Sequence, residues 1–393
     1  MELKENTRLG RYVSTTFGDE TVRAFVPPRL PPVPPLKFDG FQLLLEQANQ
    51  ALGRLDGLGS VLPNLSVFLY AYVRKEALLS SQIEGTQSSL SDLMLFESDE
   101  APGVPVNDVQ EVSNYIAALN HGMARLQEGF PLSLRLIREI HRMLLEKGRG
   151  SDKEPGEFRR SQNWIGGTRP GNALFVPPPP DLVVECMGQL EMFFHEERRD
   201  LPLLVKAGLA HVQFESIHPF LDGNGRLGRL LITFLLCAGG SLKEPILYLS
   251  LYFKTHRDTY YELLTRVRET GDWETWLEFF LTAVRETSAQ AVTSARQILA
   301  ILEEDRRKIE GLGQSAASAL RVFQHAHTHP IFSIATTAEQ TGISFPTVAA
   351  SVEHLRKLGV MREITGKQRS RLFIYERYMA ILSEGTEPLR VGV

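Results

Sequence analysis

Apolar residues recur at three- and four-residue intervals through most of the chain, from about residue 41 to residue 302. The pattern is clear in "FQLLLEQANQALGRLDGL" (41–58), "LPNLSVFLYAYVRKEALLSSQI" (62–83) and "LSLRLIREIHRMLLEKG" (132–148). This spacing places the apolar side chains on one face of an α-helix, and glycines or prolines mark several helix ends. The sequence therefore predicts a mainly α-helical fold, and 393 residues allow two or three domains.

Two segments depart from the helical pattern. The stretch "FRRSQNWIGGTRPGNALFVPPPP" (158–180) scatters β-forming residues around a Gly-Gly and a Pro-Gly-Asn turn signal, which predicts a short hairpin or an extended loop. The first 37 residues lack periodicity and are expected to be irregular. Within them, "FVPPRLPPVPPL" (25–36) is expected to run extended over the surface, because proline fixes φ and lacks an amide donor.

The last 80 or so residues predict a separate unit. A long polar helix, about 273–309, leads into three short helices, a turn at Gly342 and a two-stranded ribbon, the pattern of a winged helix-turn-helix domain. Residues 314–380 contain eight Lys and Arg against four Asp and Glu, which makes this region a candidate DNA contact, with protein contact or dimerisation as alternatives. The candidate contact residues are Ser344, Thr347, Ser351, His354, Arg356, Lys367, Arg369 and Arg371. The predicted units are 1–109, 110–282, a helical connector at 283–313, and 314–393.

Composition argues against a membrane-spanning, secreted or strongly basic protein. The net charge of −4 implies no general attraction of the whole chain to nucleic acid or membrane, and the two cysteines show no metal or disulfide spacing. The N-terminal residues lack the apolar stretch of a secretory signal, and no apolar run reaches transmembrane length. We therefore expect a cytoplasmic protein with no membrane partner.

The stretch "HPFLDGNGRLGR" (218–229) places polar and flexible residues directly before the apolar run "LLITFLLCAGG". Gly223, Asn224 and Gly225 lie at the expected start of a helix, where unpaired amides and the helix dipole favour a bound anion. Arg226 and Arg229 are three residues apart and share a helix face, so both can contact phosphate oxygens. This half of the motif predicts a phosphate site.

The other half of the motif supplies groups for chemistry. Asp222 is a candidate Mg²⁺ ligand, since Mg²⁺ binds one or two carboxylates together with substrate phosphates. His218 is suited to act as a general base because its ordinary pKa lies near neutrality. A helix cap explains the glycines but not these two residues or the arginine pair.

The whole stretch resembles the signature HxFx(D/E)GNGRxxR of the Fic family and matches it at every defined position. The resemblance implies a Fic helical core with a small β-hairpin flap, an N-terminal helical region and a C-terminal winged helix domain. It also implies AMP transfer from ATP, with Mg²⁺ on Asp222, to a Ser, Thr or Tyr hydroxyl of a target protein. In that scheme His218 takes the hydroxyl proton, and Gly223, Asn224 and Gly225 hold the α-phosphate. Arg226 and Arg229 bind the β- and γ-phosphates.

A second segment, "LLSSQIEGTQ" (78–87), resembles the inhibitory motif (S/T)xxxE(G/N) of the same family. Ser80 and Glu84 are four residues apart and share a helix face, and Gly85 is positioned as a C-cap. The resemblance implies that Glu84 pairs with Arg229 and excludes the productive pose of ATP.

The resemblance also assigns a role to the segment 158–180, called here the flap. Family flaps dock the backbone of a target by strand pairing, so we expect Trp164, Ile165 and Gly166 near the nucleotide. Tyr260 is a candidate wall of the adenine pocket, with helix packing as the alternative. Other open alternatives are removal of AMP, transfer of another nucleotide, self-modification, and a DNA-binding regulator. A homodimer is expected from similar proteins.

Overall fold

Helices make up most of the computed structural model, which describes residues 8–18, 20–61, 65–97, 106–197, 200–367 and 370–389. The first eight helices are α1 (Gln42–Val61), α2 (Leu65–Ile83), α3 (Leu90–Glu97), α4 (Val106–Gln127), α5 (Leu134–Leu144), α6 (Pro180–His195), α7 (Leu203–Ile217) and α8 (Asn224–Ala238). The remainder are α9 (Ser250–Thr255), α10 (Arg257–Thr270), α11 (Trp273–Glu310), α12 (Ala316–His325), α13 (Ile334–Thr341), α14 (Phe345–Lys357) and α15 (Glu376–Ser383). The predicted mainly α fold is confirmed. Among the described helices, none has both the length and the apolar character needed to cross a bilayer.

A β-hairpin occupies part of the N-terminal region, so the expectation of 37 irregular residues is wrong. Strands β1 (Arg11–Phe17) and β2 (Glu20–Val26) pair antiparallel, from Arg11 opposite Val26 to Phe17 opposite Glu20. One face of β2 is buried, and Val22 and Ala24 pack with Val176 of the flap. The proline-rich segment that follows, 27–36, contains neither helix nor strand, as expected for an extended strap.

The strand pairing within the flap is limited to one bridge. A single antiparallel bridge joins Ile165 to Phe175, and a turn of 3₁₀ helix at Pro170–Asn172 lies between them. The next residue, Val176, accepts a hydrogen bond at 2.8 Å from the amide of Phe25 in β2. The N-terminal hairpin therefore extends the flap on one side.

Helices α7 and α8 pack against each other and present the glycine-rich loop between them. His218 ends α7 in the left-handed conformation, with φ 49°. Gly223, with φ 76°, precedes α8. Both helices are apolar and almost entirely buried, which fixes the loop at the surface of a rigid core.

Helix α11 runs from the core to the C-terminal region as one continuous element. Trp276 and Phe280 near its start are fully buried, and Asp305 and Ile309 near its end are buried as well. The predicted connector at 283–313 thus begins inside this helix and is packed over much of its length. The proposed domain boundaries remain predictions.

The C-terminal region contains the predicted helices and one strand more than expected. Gly342, with φ 66°, ends α13 just before α14. Strands β3 (Ile331–Ser333), β4 (Arg362–Glu363) and β5 (Leu372–Ile374) form an antiparallel sheet in the order β3-β5-β4. Helix α15 was not anticipated. Ser351 is 2% exposed and cannot contact DNA, since it lies on the inner face of α14. Arg369 lies outside the described residues.

Candidate active site

The loop between α7 and α8 is held in shape by the side chain of Asn224. Its Oδ1 accepts from the amide of Phe220 at 2.9 Å, and its Nδ2 donates to the carbonyl of Phe220 at 2.8 Å. Phe220 is fully buried and stacks on His141 with ring centroids 3.7 Å apart. The Asn224 side chain is thus committed to the loop, so a phosphate contact from this residue would come from its backbone.

His141 was missed by sequence analysis because it lies on α5, about 80 residues upstream of the loop. The amide of Gly156 donates to its Nδ1 at 2.8 Å, so Nδ1 is the acceptor and Nε2 donates to the carbonyl of Asp222 at 2.9 Å. Burial lowers the pKa of His141 to about 4 and keeps the ring neutral. The neutral tautomer therefore fixes the backbone at Asp222.

His218 is placed as a neutral base. Arg159, only 2% exposed, donates from Nε to the carbonyl of His218 at 2.9 Å and anchors its strained backbone. Burial and the nearby charge of Arg159 lower the pKa of His218 to about 4. Its Nδ1 lies 4.0 Å from Oε2 of Glu215 and has no hydrogen-bond partner among the described residues. At neutral pH the ring can therefore accept a proton.

Glu215 is a buried carboxyl group near the end of α7, just before the loop at 218–223, and no motif in the sequence marks it. Burial raises its pKa to about 7. A Cβ atom on Gly228 would lie 2.3 Å from its Oε1, so the glycine lets α8 pass close to this carboxyl group without displacing it.

The two arginines of the motif are both buried and both paired. Arg229 donates from Nε to the hydroxyl of Ser80 at 2.8 Å, and from Nη2 to the Ser80 carbonyl at 2.9 Å and to Oε1 of Glu84 at 2.7 Å. Arg226 donates from Nη1 to Oε2 of Glu111 at 3.1 Å. The predicted contact between Glu84 and Arg229 is present, whereas Glu111 was not anticipated.

Glu84 covers the first turn of α8. A Cβ atom on Gly225 would lie 2.2 Å from its Oε1, so the glycine makes room for the carboxylate. Burial opposes ionisation of Glu84, but the Arg229 guanidinium outweighs it and holds the pKa of Glu84 below its usual range. A negative charge at the helix N-terminus is also favoured by the dipole. Gly85, with φ 102°, turns the chain away directly afterwards.

A cavity of about 120 Å³ joins these groups. Its lining residues are Glu84, Glu111, Arg149, His218, Leu221, Asp222, Gly223, Asn224, Gly225 and Arg226. Asp222 is the member suited to a divalent cation. Its side chain is 30% exposed, and its Oδ1 accepts from the Gly223 amide at 2.6 Å. A single carboxylate of this kind fits Mg²⁺ when substrate phosphate oxygens supply further ligands.

Other predicted residues lie apart from this cavity. Trp164 packs towards the N-terminal hairpin, with its ring centroid 5.7 Å from that of Phe17. Ile165 and Gly166 are exposed on the flap and do not line the cavity. Tyr260 is 1% exposed and its hydroxyl lies 2.8 Å from Nε2 of His211, so it packs in the core instead of forming a pocket wall.

Two family models match the chain. The description "Fic/DOC family N-terminal" covers residues 42–124, which include Glu84, and "Fic/DOC family" covers residues 131–236, which include the loop at 218–229. Among curated relatives, the protein adenylyltransferase Fic of Aedes aegypti is 34% identical over 209 residues, covering 52% of this chain and 39% of the relative. That of Drosophila grimshawi is 32% identical over 186 residues, 47% of this chain and 35% of the relative. The chain thus spans less than half the length of these relatives.

Solved structures support the fold. A Fic family protein from Desulfovibrio desulfuricans G20 superposes with a TM-score of 0.57 at 20% identity, over 87% of this chain and 97% of that chain. Fic-1 from C. elegans, residues 134–508, gives a TM-score of 0.51 at 22% identity, over 65% and 72% of the two chains.

Proposed function

We propose that this chain, which matches the Fic/DOC family models over residues 42–124 and 131–236, transfers AMP from ATP to a hydroxyl group of a protein side chain, and that Glu84 restrains this reaction. One observation carries the proposal. A neutral histidine, a partly exposed aspartate and a buried arginine meet in a single cavity at the N-terminus of α8. A second buried arginine, Arg229, lies one turn further along that helix.

His218 begins the proposed reaction by taking the proton of the target hydroxyl. The hydroxyl oxygen forms a bond to the α-phosphorus of ATP, the bond from that phosphorus to the bridging oxygen breaks, and pyrophosphate leaves. Mg²⁺ held by Asp222 and phosphate oxygens would neutralise charge on the polyphosphate. The first-turn amides of α8, including that of Gly225, lack partners within the helix and suit the α-phosphate. The Gly223 amide already donates to Asp222 and is therefore less available to bind a phosphate oxygen.

Glu84 blocks the site in this proposal because it holds the arginine that the γ-phosphate needs. The side chain of Arg229 is 2% exposed, and it is satisfied by Ser80 and Glu84. The Glu84 side chain is 32% exposed, so the pair lies at the edge of the core. A nucleotide must displace Glu84 before its γ-phosphate can contact Arg229.

The test compares wild type, Glu84→Gly and Glu84→Gly/His218→Ala with labelled ATP and Mg²⁺. We expect Glu84→Gly to label itself or a lysate protein at least about tenfold faster than wild type, which corresponds to about 1.4 kcal/mol of released inhibition. The double variant is expected to give no label. Equal labelling of wild type and Glu84→Gly would contradict the role of Glu84, and label that survives His218→Ala would contradict the base.

The same Glu84→Gly variant tests which nucleotide is the donor and whether AMP is added or removed. We propose ATP as the donor, and parallel reactions of Glu84→Gly with labelled CTP, GTP and UTP test this. If the wild type releases AMP from a modified protein faster than Glu84→Gly does, AMP removal is the reaction instead.

We propose that the target backbone pairs with the flap along residues 163–166. The opposite edge is already used, because Val176 accepts from Phe25 of the N-terminal hairpin. The free edge is also the one nearest the base, since Nδ2 of Asn163 donates to the carbonyl of Phe220 at 3.0 Å. A target docked there, or a second copy of the chain, would present its hydroxyl towards His218.

A second, compatible role is DNA binding by residues 314–380 as a winged helix. It is supported by the exposed side chains of Ser344, Thr347 and Arg356 at the outer face of α14. A salt-dependent mobility shift with genomic fragments tests it, and Arg356→Ala is expected to weaken the shift for all sequences equally.

A further inference from the structure

The end of the inhibitory helix α2 is bound by a short acidic segment that follows α15. This segment, 383–387, has the sequence "SEGTE". Gln82, fully buried, donates from Nε2 to the carbonyl of Thr386 at 2.8 Å and to the carbonyl of Ser88 at 3.0 Å. One amide group thus ties residues 82 and 88, which flank Glu84, to a residue about 300 positions downstream.

Two buried lysines lie under the same segment. Lys254 of α9, 6% exposed, donates from Nζ to the carbonyl of Gly385 at 3.2 Å and also to the carbonyl of Glu387. Lys75 of α2 is 1% exposed. Burial lowers the pKa of each lysine to about 8. The negative charge of Glu387 acts in the opposite direction on both lysines, and that of Glu384 does so on Lys75.

The segment packs closely against α9, and its negative charges lie near the two lysines. Gly385 adopts φ 76°, and a Cβ atom there would lie 2.7 Å from Cδ1 of Leu251. Without the segment, Gln82 and Lys254 would lose these carbonyl acceptors, which is unfavourable.

Gln82 lies between Ser80 and Glu84 at the end of α2. Both of these neighbours contact Arg229. We propose that residues 383–387 form a latch that holds the end of α2, and hence Glu84, against Arg229. The inference rests on the proposed function only for its effect on AMP transfer. Whatever displaces α15, which packs on α2 and ends at Ser383, would loosen the latch and raise activity.

The experiment uses full-length Gln82→Met and Lys254→Met, which keep the volume and remove the hydrogen bonds. Gln324→Met and Lys357→Met, at exposed positions on α12 and α14, are the matched controls, and Glu84→Gly is the reference for full release. Each protein is assayed for label from ATP and for amide hydrogen exchange at residues 80–87. Loss of the two hydrogen bonds that each side chain makes is expected to raise both the labelling and the exchange rate by at least about three- to tenfold, with no change in the controls.

The two readouts separate the possible failures. If Glu84→Gly is active but the two latch variants behave as wild type in both assays, the latch is overturned. If exchange at 80–87 rises without extra label while Glu84→Gly is active, the coupling to Glu84 is overturned. If Glu84→Gly is inactive, the proposed function fails, and exchange alone then decides whether the segment holds the end of α2. A circular dichroism spectrum equal to that of wild type confirms that each variant is folded.

Discussion

Glu76 shows how a single buried residue links α2, the helix that leads to Glu84, to the rest of the core. It is 5% exposed and accepts from the amide of Ser250 at 3.0 Å, from the Ser250 hydroxyl at 2.5 Å and from the hydroxyl of Tyr115 at 3.3 Å. Burial nevertheless raises the pKa of Glu76 to about 7, because three neutral donors do not replace the hydration of a carboxylate. The side chain is therefore mostly protonated below pH 7 in the folded protein.

We expect this residue to make stability fall as pH rises. A carboxyl group whose pKa is raised on folding, from 4.5 to about 7, stabilises the folded state fully below pH 4.5 and loses that contribution as pH approaches 7. The difference in unfolding free energy between wild type and Glu76→Gln should change by roughly 3 kcal/mol over this window. Denaturant unfolding at several pH values measures it. Glu46→Gln on α1 serves as the control, and parallel pH curves for wild type and Glu76→Gln would contradict the expectation.

At the scale of elements, the N-terminal hairpin and the flap act as one small layer. Val22, Ala24 and Val176 form an apolar cluster apart from the main core, and the hydrogen bond from Phe25 to Val176 joins the two elements. The flap itself has only one internal bridge, so the hairpin supplies much of what keeps it in place.

Val22→Asp is expected to loosen the flap, because a carboxylate in this cluster has no partner and must reach water. Amide exchange at Ile165, Leu174 and Phe175 should become about tenfold faster or more, corresponding to at least about 1.4 kcal/mol. Thr21→Asp, on the exposed face of the same strand, is expected to leave exchange unchanged. Equal effects of the two variants would show that the cluster does not support the flap.

The elements also show what the sequence could predict. Helical periodicity and the loop at 218–229 are local patterns, so the mainly α fold, the bounds of α11 and the position of the base were accessible. The pairing of Glu84 with Arg229 was accessible only through resemblance to a known motif. Glu111 was missed because α4 brings it to Arg226 from 115 residues upstream, and Arg159 because it reaches His218 from a loop 59 residues upstream. Glu215 lies only three residues before His218, but a single glutamate at the end of an apolar helix forms no motif. The N-terminal hairpin was missed because its inward residues are few and its packing partner lies about 150 residues away.

The whole molecule is organised along α11, a helix of 38 residues and about 57 Å. Its first half packs against α1 and α7, and its second half carries Asp305, which is fully buried. That carboxylate accepts from the hydroxyl of Tyr375 at 2.8 Å and from Nη1 of Arg377 at 3.1 Å. These two residues flank the start of α15, so Asp305 attaches the C-terminal region to the helix that leaves the core.

Asp305→Ala should therefore detach the C-terminal region more than it disturbs the catalytic core. Removing the carboxylate takes the main acceptor from the buried Tyr375 hydroxyl and one of two carboxylate partners from the partly exposed Arg377, at a cost of about 1.5–3 kcal/mol. Calorimetry is expected to show an early transition separated from that of the core, and proteolysis at 311–315 should accelerate. Glu303→Ala removes an exposed pair with Arg307 on the same helix and should change neither, since such pairs contribute little. A single transition lowered as a whole would instead mean that α11 unites both regions into one cooperative unit.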